Sequence, residues 1–585
     1  MLGDNAESAA LRAILDGALT TMLGPDATFR PGQLEAVDAA LSGRDCLAML
    51  PTGAGKSLVY MLPAAMRVEA DEPGVTVVVS PLLSLLRDQN KRCDELGLQC
   101  ESWSSAVDAD TLGKIEKDLR VSREDGGPAT SLLFTTPEAL CSNQKLRGAL
   151  AVCHANGCVT GIAVDEAHCV SQWGHDFRPA YLRLAEIRDD LLKGTPISAL
   201  TATATPEVAN QIVDALGLRD VKVIRSPLNR PNLRYQVIRR ECVGEGAGKG
   251  TETAAVQHLV QFAKDAVSAV SAQFQNQNQN NDDAGGPVGI VFARTRDECD
   301  RLANVLSESG MDCVSYHAGK PPECLARAQR CWCAGDIDAV VATVAFGMGV
   351  DKPNVRWVAH WGPPATLEGL YQESGRAGRD GDVAQCAMYV GSAELDALRK
   401  LGARGRDVEA YALDGKRCRR AAMLKHFGER GATRGMTCGD NDTWCDVCSD
   451  PERVKREAKG ADKKWEQKEE ARAYDELELR MDAARAKARE REHEALVGKE
   501  NGLEGGETAN AKELSAKAKE LPNASPQGTN PPLPRVLPGP QRAAAAKKAN
   551  AASAASAAKT PEIQPVAPTS GKRKFVHPAR PVADA

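Results

Sequence analysis

The segment Leu50-Pro51-Thr52-Gly53-Ala54-Gly55-Lys56-Ser57 sets an ammonium and a hydroxyl directly behind a glycine-rich turn. Backbone amides of such a turn, Thr52 and Ala54 included, can cradle phosphate oxygens, because Gly53 and Gly55 permit a close approach. Lys56 then reaches β- and γ-phosphates, and the Ser57 hydroxyl ligates magnesium. The strict eight-residue pattern has glycine where Leu50 stands, so this is a variant, and Gly-Lys-Ser alone also occurs in ordinary turns. Asp165-Glu166-Ala167-His168 follows an apolar run 109 residues beyond Lys56. There Asp165 would hold magnesium and Glu166 would polarise the attacking water, with His168 completing the catalytic set. Alone, the pair could be an acidic strand end capping a helix; beside the first segment it makes a nucleotide site. A third segment, Gln372-Glu373-Ser374-Gly375-Arg376-Ala377-Gly378-Arg379-Asp380-Gly381, offers arginines to the phosphates of another lobe. Such a finger is worth about 10³ to 10⁵ in rate. Seen alone, that segment is a basic surface turn.

These residues need a scaffold that brings strand ends together. Short apolar runs, each followed by a helix-length stretch, recur at Cys46 to Leu50, Val75 to Val79, Leu132 to Thr135, Gly161 to Val164 and Ile197 to Thr201. A second set covers Val288 to Phe292, Cys313 to Tyr316, Ala339 to Ala342, Val355 to Ala359 and Cys386 to Val390. The alternation predicts an α/β chain with two parallel-sheet lobes. They are expected over residues 25–225 and 226–400, after an N-terminal helix or lead-in over 1–24. Residues 273–287, with their Gln/Asn run and Gly285-Gly286-Pro287, cannot bury a core and are expected as a disordered insertion in the second lobe.

Charge and composition bound the rest. The sum of 74 basic and 79 acidic residues, −5, argues against a general polyanion binder. By position, however, residues 1–450 carry 48 basic and 59 acidic side chains, 451–500 carry 14 of each, and 501–585 carry 12 and 6. Of 24 aromatics only Trp465, Tyr474 and Phe575 lie beyond residue 450, so the packed protein is expected to end there. Pairs such as Glu452/Arg456 and Glu476/Arg480 predict a charged, solvated helix over 451–500, and the Ala/Pro/Lys/Ser composition predicts a disordered basic tail over 501–585. The 18 cysteines have no even spacing, and the acidic start Met1 to Glu7 has no targeting pattern, so they are expected to be reduced intracellular thiols. No apolar run approaches a bilayer span, which predicts a soluble chain with no membrane partner.

Residues 25 to 450 resemble the RecQ family of superfamily-two DNA helicases. The likeness runs through Phe29-Arg30-Pro31-Gly32-Gln33, Ser80-Pro81-Leu82-Leu83-Ser84-Leu85, Thr135-Thr136-Pro137-Glu138 and Ala199 to Thr205 in the first lobe. In the second it covers Tyr316-His317-Ala318-Gly319, Ala342 to Pro353 and Val358-Ala359-His360-Trp361. The resemblance implies two RecA-like lobes, with Gln33 reading the adenine edge, Arg30 packing on the base, Arg379 as the finger, and Gln372 and Arg376 sensing the γ-phosphate. Ser171 to Pro179 looks like the family's aromatic-rich loop and implies DNA contacts through Gln172, Trp173, His175, Phe177 and Arg178. Bases stacked on Trp173 and Phe177, at about 1 to 3 kcal/mol each, would shift a loop chained directly to Asp165 and Glu166. Without the family, two aromatics four apart are a helix's core stripe.

Cys418, Cys438, Cys445 and Cys448, separated by 19, 6 and 2 residues, are the metal candidate. Cys445-Asp446-Val447-Cys448 is half of a tetrahedral thiolate site, and the stretch from Cys418 resembles the helix opening the family's zinc subdomain, here 401–450. Four thiolates with no open position imply a structural zinc ion, worth about 10 to 16 kcal/mol of apparent binding energy. The alternative is four ordinary thiols. Nothing after Cys448 has winged-helix or HRDC periodicity, so the likeness is to the family's short members, and no aromatic near Pro25 or Asp26 closes the second face of adenine.

The resemblance implies an ATP-dependent 3′-5′ DNA helicase of repair, recombination and replication, using ATP, magnesium and zinc. Its expected substrates are single-stranded and tailed or forked duplex DNA, and the tail is a possible contact for protein partners. An RNA-dependent helicase, or an annealing or recruitment scaffold built on the basic tail, are the alternatives. Function, more than Lys572-Arg573-Lys574, points to the nucleus.

Overall fold

The computed structural model describes residues 3–171, 177–244, 251–274, 286–344, 346, 352–429, 438 and 445–457. The tail, the expected charged helix past residue 457, most of the expected insertion, and Gln172, Trp173 and His175 lie outside the described residues. The chain begins with a helix, Gly3–Leu23, where a lead-in is expected.

Strands β1 (Cys46–Met49), β2 (Val75–Val79), β3 (Cys100–Trp103), β4 (Leu132–Thr135), β5 (Val159–Val164), β6 (Ile197–Thr201) and β7 (Lys222–Arg225) form one sheet. Its order is β3-β4-β2-β5-β6-β1-β7, and every neighbouring pair is parallel. A second parallel sheet holds β8 (Leu233–Arg239), β9 (Val288–Phe292), β10 (Cys313–Tyr316), β11 (Ala339–Ala342), β12 (Val355–Trp361) and β13 (Ala384–Val390), in the order β10-β11-β9-β12-β13-β8.

The ten apolar runs of the sequence all fall on strands of these sheets, because helices cover both faces and central strands must be apolar on each. β1, β4, β6, β9 and β11 are buried at every residue. The three strands without such a run, β3, β7 and β8, are sheet edges. β3 (Cys-Glu-Ser-Trp) and β7 (Lys-Val-Ile-Arg) keep polar residues where one side meets solvent. β8 alternates Leu233, Tyr235 and Val237 inward with Arg234 and Gln236. Residues 273 and 274, expected to open the insertion, belong instead to the helix Glu252–Phe274.

Several motif threonines build the helix starts. Thr136 and Thr205 each precede a proline at the first helical position, and their hydroxyls accept from Ala139 N at 3.2 Å and Val208 N at 3.3 Å. Each cap contributes about 1 kcal/mol. In the second lobe, one apolar cluster runs without a break from Leu233 and Tyr235 of β8 through Leu398, Val408 and Tyr411 to Cys418, Cys438 and Cys445. Among the described residues, no helix is long and apolar enough to cross a membrane.

Candidate nucleotide cleft and thiolate cluster

In the first sheet β6 lies between β1 and β5, so the turn after β1 and the residues after β5 emerge side by side at the carboxyl edge. Open α/β sheets bind ligands at such a crevice. Leu50 N donates to Thr201 O at 3.0 Å, extending the ladder by one residue, and Leu50 is fully buried. An extended, buried residue has no need of glycine's freedom, which accounts for the departure from the strict pattern. Gly53 and Gly55 do need it, with φ of 80° and 73°.

The cleft, about 560 Å³, is lined by Thr52, Gly53, Gly55, Lys56 and Ser57 from the turn, by Asp165 and Glu166, and by Arg30 and Gln33. From the second lobe it receives Gln372, Arg376 and Arg379. Three segments hundreds of residues apart thus share one cavity. Ala54 does not line it; its carbonyl faces Gln33 instead. Gln33 Nε2 donates to Ala54 O at 2.7 Å and Gly55 O at 3.1 Å, while Arg30 donates to Gly53 O. Both side chains expected at the base therefore brace the turn carbonyls. The helix Gly3–Leu23, which carries no motif, contributes Leu19 and Met22 to the wall, and no aromatic is among the described lining residues.

Asp165 is buried, and loss of water together with the neighbouring Glu166 charge pushes its carboxyl up to about 7 despite Lys56. A desolvated carboxylate pair facing a hydroxyl fits a divalent cation. Glu166 sits at φ 48°, a left-handed conformation that costs a non-glycine residue about 1 kcal/mol or more. That turn brings its Oε2 to 3.3 Å from His168 Nδ1, which also lies 3.0 Å from Thr201 Oγ1. His168 therefore joins the acidic turn to the end of β6. Tyr181 donates its hydroxyl to Asp165 O at 3.0 Å.

The second-lobe segment begins in the last turn of the helix Leu367–Ser374 and leads into β13. Arg376 is buried, its guanidinium 5.9 Å from the Phe292 ring centroid, and burial, then the charge of Arg379, pushes it down to about 10. Arg379 packs on the glycine-rich turn: a Cβ at Gly53 would lie 3.3 Å from Arg379 Cγ. Among the described residues, the buried Arg376 Nε and Thr52 Oγ1 have no hydrogen-bond partner. Cationic and donor groups held dry and unsatisfied in a cavity fit a polyphosphate.

Of the expected nucleic-acid contacts, Phe177 and Arg178 are described. Both are half-buried; Arg178 N donates to Cys169 O at 2.9 Å, and its guanidinium lies 3.8 Å from Glu138. They sit on the chain just past the acidic turn.

Cys418, Cys438, Cys445 and Cys448 place their sulfur atoms within 4.8 Å of one another. Cys438 Sγ lies 3.5 Å and Cys445 Sγ 3.9 Å from Cys418 Sγ. A tetrahedron with Zn–S bonds of about 2.3 Å has edges of about 3.8 Å, so the cage fits zinc. Burial and the adjoining Cys445 push the Cys448 thiol up to about 12, a cost that a cation removes.

Models of three families match: DEAD/DEAH box helicase over residues 30–212, Helicase conserved C-terminal domain over 272–381, and RecQ zinc-binding over 381–449. The chain is 36% identical over 435 residues to the RecQ-like DNA helicase blm-1 of Caenorhabditis elegans, covering 72% of this chain and 40% of that one. It is 35% identical over 427 residues to the putative ATP-dependent DNA helicase Q1 of the same organism, covering 72% and 61%. The chain thus spans about half the length of these relatives. The helicase MrfA, in its DNA-bound crystal structure, shares the fold with a TM-score of 0.51 at 19% identity, over 65% of this chain and 51% of that one. The zinc-binding match falls on the four-cysteine cage, the helicase matches fall on the two sheets, and together with these relatives they support a helicase of the RecQ family.

Proposed function

We propose that the chain is an ATP-driven DNA translocase that separates duplexes, moving 3′ to 5′ on the tracking strand. One observation carries the reading: the glycine-rich turn of the first lobe and Arg376 and Arg379 of the second line a single cleft. Lys56 holds the β- and γ-phosphates, and Ser57 and Asp165 hold magnesium, which supplies charge neutralisation on the phosphate oxygens. Glu166 accepts a proton from water as its oxygen bonds to the γ-phosphorus and the bond to the β-phosphate oxygen breaks, releasing ADP and phosphate. Arg379 neutralises charge in the transition state, Arg376 and Gln372 contact the γ-phosphate, and His168 reports on Glu166 to Thr201. Gln33 turns from the loop carbonyls to the adenine edge, beside Arg30, so nucleotide binding and loop bracing compete for one amide. Zinc, held by the four cysteines, supplies structural cross-linking only.

Single-stranded DNA runs past Gln172, Trp173, His175, Phe177 and Arg178, and its occupancy shifts the acidic turn. Each base pair opened costs about 1.4 kcal/mol of stacking. The proposal extends to work on tailed and forked DNA in the nucleus, in repair, recombination and replication, with protein partners on the tail; the likeness to RecQ-like DNA helicases supports it. Unwinding of tailed and forked DNA duplexes beside matched RNA duplexes tests the reading. ATP-dependent separation of 3′-tailed DNA is expected; preference for RNA, or strand annealing without unwinding, overturns it.

A further inference from the structure

The two walls of the cleft are joined by a residue that none of the nucleotide motifs contains. Arg230 lies half-buried in the connection between β7 and β8. Its Nη1 donates to Thr52 O at 3.1 Å, in the glycine-rich turn, and to Gly375 O at 3.2 Å, in the second lobe. Its Nη2 donates to Ala377 O at 3.0 Å and Gly378 O at 2.7 Å. One planar guanidinium therefore holds four carbonyls, three of them in the turn that ends at Arg379. The fork geometry suits this, since its donors diverge in fixed directions. The fit around it is tight: a Cβ at Gly375 would lie 3.0 Å from Thr52 Cβ.

The chain on either side of Arg230 is itself held in place. Asn232 Nδ2 donates to Gly378 O at 2.7 Å and Asp382 O at 2.8 Å. Arg420, on the helix that follows Cys418, donates to Pro231 O at 2.8 Å and to Leu233 O. Leu228 O accepts from the Tyr371 hydroxyl at 2.8 Å. The connection between the lobes is thus a fixed mount, and Arg230 is not among the residues lining the cleft.

We propose that Arg230 is a positioning residue that registers the turn 375–379 of the second lobe against the glycine-rich turn of the first, placing Arg379 on the phosphates. This rests on the reading of Arg379 as the finger. A displacement of about 1 Å at a reacting centre can cost about 100-fold in rate, so releasing the turn should slow turnover with little effect on binding.

The full chain with single-stranded DNA provides the test, as wild type, Arg230→Ala, Arg230→Lys, Arg379→Ala and the Arg230→Ala/Arg379→Ala double variant. Steady-state kcat and KM for ATP are read beside the Kd of a fluorescent ATP analogue. Arg230→Ala is expected to lower kcat about 10- to 100-fold while Kd changes less than about 3-fold, and the double variant should be no slower than Arg379→Ala. Lysine should not rescue, because one ammonium cannot span four carbonyls; Arg230→Lys also carries the test if the alanine variant unfolds. Wild-type kcat in Arg230→Lys, or defects that multiply in the double variant, overturns the proposal. Wild-type kcat in Arg379→Ala would instead remove the finger reading beneath it.

Discussion

Arg419 follows Cys418 and Asp446 follows Cys445, so the ion pair between them ties together two segments that carry metal ligands. Arg419 Nε lies 3.0 Å from Asp446 Oδ1, and Nη2 lies 3.3 Å from Oδ2. The two side chains are 2% and 0% exposed. Asp446 Oδ2 also accepts from Val237 N at 2.8 Å, which fastens the zinc segment to β8, and Arg419 donates to Tyr411 O. Replacing Arg419 with Met keeps the bulk but leaves a carboxylate buried with only two backbone amides, Val237 N and Val447 N, for company. Breaking a fully buried pair in this way costs about 3 to 5 kcal/mol. At a slope of about 2 kcal/mol per molar urea, the midpoint of zinc release should fall by about 1.5 to 2.5 M. The assay is urea titration of the zinc-loaded protein with a chromogenic chelator reporting released metal. Arg419→Met/Asp446→Asn removes both charges and keeps an oxygen for Val237 N, so most of the loss should return. A midpoint within about 0.3 M of wild type for Arg419→Met, or a double variant as weak as the single, refutes the reasoning.

Other outcomes follow from the same geometry. Lys56→Ala should abolish ATP hydrolysis; DNA-stimulated turnover persisting in that variant would sink the nucleotide-site assignment. Trp173→Ala should leave basal hydrolysis intact and weaken its stimulation by single-stranded DNA, and equal stimulation in both proteins refutes the coupling. Gly53→Ala places a side chain at φ 80°, worth about 1 to 2 kcal/mol of strain, with its Cβ 3.3 Å from Arg379 Cγ. It should lower kcat more than Arg379-independent nucleotide affinity, measured as turnover against analogue Kd, and an unchanged ratio of the two would contradict the contact.

What the sequence determined by itself is everything written in local pattern. Strands buried on both faces must be continuous apolar runs, so the middle of both sheets is legible, and a lysine and hydroxyl behind two glycines announce a phosphate turn before any fold is known. Paired cysteines and Thr-Pro helix starts are local in the same sense. The tertiary structure decided whatever depends on distant neighbours. Edge strands β3, β7 and β8 keep polar residues because one side faces solvent or another subdomain, and no run marks them. Leu50 is acceptable in the turn only because Thr201 extends the ladder beneath it. Asp165 rises to about 7 through burial and Glu166, a property of its enclosure that its residue type does not carry. Arg230 meets Thr52 across 178 positions and Gly378 across 148. A guanidinium has no periodicity to read, and its four carbonyl partners become neighbours only when the lobes pack.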